Sequence, residues 1–116
     1  MIPGKSNLIV DITFKFSLAI IKFAEKLEER KRYVISTQLI KSGTSIGANF
    51  WEAQAAESRA DFIHKMKIAS KEAEETKYWL LLCSAAWELA GVEDLLLQLA
   101  RIKRVLGKII STSKLR

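Results

Sequence analysis

The stretch from Arg59 to Gly91 reads RADFIHKMKIASKEAEETKYWLLLCSAAWELAG. Phe62, Met66, Ala69, Ala73, Thr76, Leu80, Cys83 and Trp87 recur through it at alternating spacings of four and three. That period lines them along one side of an α-helix, the pattern of a packed helical seam. No Pro or Gly interrupts the run before Gly91. The spacing predicts one long helix over about 59–89. Ser58 opens it, with Asp61 three residues on, a capping box with Asp in place of Glu. Gly91 closes it as the residue that tolerates a left-handed turn.

The same period continues on both sides. Ile9, Ile12, Phe16, Ala19, Ile20, Phe23 and Leu27 mark a first helix over about 6–30, with Ser6 or Asn7 as N-cap. Glu28-Glu29-Arg30-Lys31-Arg32 reads as a charged surface turn, and a second helix follows over about 33–58. Leu95, Leu99, Ile102, Leu106 and Ile109 mark a fourth over about 93–113, where Glu93 and Asp94 suit the positive end of the helix dipole. Short links between long amphipathic helices force antiparallel neighbours. The expected fold is all-α: an antiparallel up-down-up-down four-helix bundle, one domain spanning 1–116.

Composition agrees with that expectation. Hydrophobic residues make up 49% of the chain and charged residues 28%, with one Pro and five Gly, a globular and breaker-poor mixture. The lone Cys83 has no internal disulfide partner, which points to a reducing, cytoplasmic setting. Asp11 and Lys15 break the N-terminal apolar run, so no signal peptide is expected, and no apolar window is long enough for a membrane span.

The second helix departs from its neighbours. Leu39, Gly43, Ile46, Phe50 and Ala53 form one stripe, and Gln38, Ser42, Ser45, Asn49 and Glu52 form a polar stripe beside it. Gly43 and Gly47 each cost about 1 kcal/mol against Ala in mid-helix. Close approach of a neighbouring helix, where a Cβ would clash, is the expected compensation. The polar stripe then bonds across a buried seam. A pocket formed by Ser45, Asn49, Glu52 and Glu75 is the functional alternative. Trp51 lies about 100° around the helix from Phe50, so the two cannot face one core, and one of them meets another subunit.

Catalytic signatures are not found. Neither GxxxxGK[ST] nor GxGxxG occurs, and the single histidine, His64, has no second His or Cys at metal-ligand spacing. On one continuous helix His64 and Cys83 stand roughly 28 Å apart, too far for a dyad. The chain is therefore expected to be no enzyme, with no cofactor and no metal. Charge is the feature that remains. The net charge is +6, and from Leu95 to the C-terminus Arg101, Lys103, Arg104, Lys108, Lys114 and Arg116 stand with no acid between them. Together with Lys65 and Lys67 of the third helix they are the candidate contacts for RNA or DNA, through phosphates rather than base edges. The plain alternative is a solvated helix face that complements its own dipole.

The middle of the chain carries a resemblance. Ser45-Ile46-Gly47-Ala48-Asn49, Glu52-Ala53, Ser58-Arg59-Ala60-Asp61-Phe62, Ile68-Ala69 through Glu72-Ala73 with Glu75-Thr76, and Tyr78-Trp79-Leu80 are similar to the four helix bundle protein family. That family includes the proteins encoded in intervening sequences of bacterial 23S ribosomal RNA genes. The resemblance implies an up-down bundle and a ring-shaped homo-oligomer, a pentamer. The expected function is a non-enzymatic oligomer that binds RNA or other nucleic acid through a basic surface. The alternative is a protein-interaction scaffold with the same assembly and no nucleic-acid role. In both, Ser42, Ser45, Asn49, Glu52 and Glu75 are expected to specify the fold, and no membrane is involved.

Overall fold

A computed structural model describes residues 7–114. They form four helices: α1 over Leu8–Glu29, α2 over Tyr33–Ala53, α3 over Arg59–Ala86 and α4 over Val92–Lys114. Each helix packs on the next and α1 also packs on α4, while the backbones of the diagonal pairs stay more than 8 Å apart. The result is the up-down-up-down bundle, elongated at 47 × 27 × 20 Å. Among the described residues no helix is long and apolar enough to cross a membrane.

Local chemistry sets the helix ends. Asn7 caps α1, its side-chain oxygen accepting from the Val10 amide, while its amide nitrogen donates to Gln54 at 2.7 Å across the bundle end. Ser6, the other cap candidate, lies outside the described residues. At the far end of α1 the Arg32 amide reaches back to the Leu27 carbonyl and the Lys31 amide to that of Glu28, both at 2.8 Å. That pair of bonds is a Schellman motif, and it holds Lys31 at φ 61°, where Gly is usual. Ser58 caps α3 by accepting from the Asp61 amide, and the Asp61 carboxylate accepts from the Glu57 amide, completing the expected box one residue early.

Two boundaries move. The second helix, expected to reach 58, ends at Ala53, because Ser58 turns into the extended conformation (φ −154°) that capping α3 requires. The third, expected to reach 89, ends at Ala86. Trp87 turns extended, packs against the core and lies under Arg32, whose guanidinium carbon stands 4.7 Å from its ring centroid. Gly91, at φ +100°, does not cap α3; its carbonyl accepts from the Leu95 amide and so starts α4.

The core runs the length of the bundle through Phe16, Ile20, Leu27, Leu39, Ile46, Phe50, Met66, Leu80, Leu99, Ile102 and Leu106. Its tightest seam lies between α1 and α2. A Cβ at Gly43 would come within 2.9 Å of both Ile20 γ-carbons, and one at Gly47 within 3.2 Å of the Thr13 carbonyl oxygen. The two stripes of α2 therefore part company. The glycine stripe meets α1, and the polar stripe turns toward α3, where the hydroxyls of buried Ser42 and Thr76 hydrogen-bond at 3.0 Å.

Candidate nucleic-acid interface

α4 is the most strongly two-faced helix of the bundle. Leu95, Leu99, Ile102 and Leu106 are buried at spacings of four and three. Half a turn away, at the same spacings, Leu97, Arg101, Arg104 and Lys108 are all exposed. Leucines at four-three spacing need a core, which leaves the opposite ridge to solvent. Arg101, Arg104 and Lys108 make no ion pair among the described residues, and the helix holds no acid after Asp94 to neutralise them.

Other expected contacts are drawn elsewhere. Lys103 points sideways to α3 and pairs with Glu74, which holds the Glu74 carboxyl below its usual range. This pair marks the register of α3 on α4. That register places Lys67 and Lys71, exposed on the outer side of α3, alongside the C-terminal half of the α4 ridge. Lys77, which sequence reasoning did not single out, joins Lys103 and Arg104 on the rim of one groove. Its signal was its place one turn after Glu74, on the side that faces α4. Lys65 leaves the group: it turns toward α2 and donates to Glu52 at 2.8 Å, and that bond raises its pKa. Lys114 is exposed in the last turn of α4; Arg116 lies outside the described residues. The cations thus gather as one ridge with a flanking row on α3.

The polar stripe of α2 forms no shared pocket. Asn49 donates to the Ser45 carbonyl one turn back at 2.8 Å and to its hydroxyl at 3.3 Å. Glu52 is exposed and held by Lys65. Glu75, also exposed, accepts from the Trp79 indole at 3.0 Å. Among the described residues no buried side-chain nitrogen or oxygen lacks a partner.

Apolar surface opens in three places, one of them a groove of about 690 Å³ where Leu8 of α1, Phe62 of α3 and Val105 and Ile109 of α4 meet, with Lys108 in its lining. On the α1/α2 side Phe14, Leu18, Ile21 and Trp51 line a groove of about 400 Å³ floored by Gly47 and Ala48. Phe50 is the buried member of its pair and Trp51 the exposed one, at 45%. On the α3/α4 side Leu81, Leu96, Leu99 and Ala100 line a groove of about 310 Å³, and Leu97 is 71% exposed.

No curated protein matches the chain. A crystal structure of a protein of unknown function from the S23 ribosomal protein family of Bacteroides thetaiotaomicron superposes with a TM-score of 0.85. The two are 40% identical over 89% of this chain and 98% of the other. Residues 5–108 match the family described as 23S rRNA-intervening sequence protein, and the chain belongs to that family.

Proposed function

We propose that this protein is a non-enzymatic, self-assembling cytoplasmic bundle that holds the phosphate backbone of RNA on the outward ridge of α4. The observation that carries the reading is the run Arg101, Arg104 and Lys108, exposed opposite the buried leucine stripe with no acid among them. Cations placed this way release counterions when they meet phosphates, which gives affinity without base reading. The family description, which names 23S rRNA, supports the same ligand class. Self-assembly is supported by two unlike apolar patches on opposite sides of the bundle. Unlike patches meet head to tail, and such contacts close into rings when the rotation divides a turn. The pentamer implied by the family resemblance is one such ring.

Electrophoretic shift titration with a structured RNA across a salt series tests the reading. Binding that weakens steeply as salt rises is expected. No binding at low salt, or binding indifferent to salt, overturns it. A second reading, a scaffold for another protein, is favoured by the α3/α4 groove, whose apolar floor is rimmed by Lys77, Lys103 and Arg104. An affinity capture that returns only copies of this chain counts against the scaffold.

A further inference from the structure

We infer that the nucleic acid fitting the α4 ridge is double-helical, and that single strands of the same length are the poorer ligand; the inference rests on the reading of that ridge as a phosphate-binding surface. Single strands are held by grooves that track the backbone and by aromatic rings on which bases stack, worth about 1–3 kcal/mol per base. The ridge itself is convex and bears no ring; the grooves beside it are lined chiefly by aliphatic side chains, with Phe62 on the Lys108 side, and Tyr78 stands on the outer face of α3 with Lys67 and Lys71. α4 contains no aromatic residue. Of the exposed rings, Phe14 and Trp51 belong to the α1/α2 groove, Tyr33 stands at the start of α2, and Tyr78 meets Trp79 edge to face at 5.2 Å. Trp79 is in turn fastened to Glu75.

The ridge is convex and rigid. Arg101 to Lys108 spans about 10 Å along a helix whose other side is locked in the core. Lys67 and Lys71 form a second row on α3, whose axis packs about 8–10 Å from that of α4. Two fixed rows of cations suit a ligand whose phosphates are already fixed in space. A flexible strand would have to be ordered against them, at an entropic cost that no ring on α4 offsets by stacking. Charge density favours the same ligand. A duplex carries one charge per about 1.7 Å of axis, and each neutralised phosphate steepens its salt dependence more than in a single strand. No side chain of the ridge is an amide suited to reading base edges; Gln98 beside it donates to Asp94 at 2.8 Å.

The test uses the full chain with labelled duplex RNA, duplex DNA of the same sequence and each separated strand, between about 50 and 200 mM salt. The expected result is affinity for a duplex about tenfold or more above either strand. The triple variant R101Q/R104Q/K108Q should flatten the log–log salt slope by about three while keeping the helical circular dichroism. Single strands that bind as well as duplexes, or a slope untouched by the triple variant, overturn the inference and leave nucleic-acid binding standing. No binding to any of these duplexes or strands removes the parent reading as well.

Discussion

Gly43 and Gly107 both interrupt helices, yet their surroundings predict opposite outcomes. A methyl at Gly43 would stand 2.9 Å from two branched carbons of fully buried Ile20. Overpacking of this kind costs about 1–3 kcal/mol, which outweighs the roughly 1 kcal/mol gained in helix propensity. Gly107 has nothing within 4 Å of that position, so the propensity gain is unopposed. Urea titration should therefore find G43A less stable and G107A more stable than the parent by up to about 1 kcal/mol. Lys31 presents the reverse case, a side-chain residue at φ 61° where the Schellman bonds require a left-handed turn. That conformation costs about 1–2 kcal/mol in a residue with a Cβ. Part of this returns when Gly is substituted, after its greater unfolded-state entropy. K31G is expected to raise the melting temperature, and a lower one would show that Lys31 makes a compensating contact.

At the scale of elements, α2 mediates between two partners by different means. Toward α1 it presents glycines and allows close backbone approach; toward α3 it presents Ser42 to Thr76. Thr76 also bonds the Glu72 carbonyl at 2.7 Å, so its hydroxyl is tied both within α3 and across to α2. Removing one hydroxyl leaves the other under-satisfied in a dry seam, at a cost of about 1–3 kcal/mol. Removing both leaves no orphan. T76V alone is expected to destabilise, and S42A/T76V to cost less than the sum of the single changes by about 1 kcal/mol. Additive single-mutant losses in a chemical-denaturation cycle would mean that the bond does not couple the helices.

For the whole molecule, the arrangement of surfaces matters more than any one of them. Trp51 and Leu81 mark apolar patches on opposite sides, and the cation ridge lies on α4 between the α3/α4 and α1/α4 sides. If both patches meet neighbouring copies, every subunit carries its ridge in the same orientation, and weak phosphate contacts act together. W51E and L81E are each expected to lower the mass measured by light scattering while leaving the helical circular dichroism unchanged. A parent chain that stays monomeric at every concentration would remove self-assembly from the proposal.

The four-three spacing of Phe62 to Trp87 and of Leu95 to Ile109 was enough to place four helices and their buried sides, because a helix period is a local property that only one face can bury. The cap at Ser58 followed from its residue types, and the period required Phe50 and Trp51 to face different ways; which of the two is buried, and which cations stand together, was decided by packing. The helix ends near Ala53 and Ala86 did not follow from the period either. The first follows Ser58 turning extended to cap α3, a local competition that spacing does not score, and the second follows Trp87 lying under Arg32, far along the chain. Nor could spacing say that Lys65 would turn to Glu52 and Lys103 to Glu74, or that the glycines and serines of α2 would face different helices. Neighbouring stripes on one helix differ by only about 100°. Which partner each meets is set by how the helices cross, and that is fixed only when all four pack.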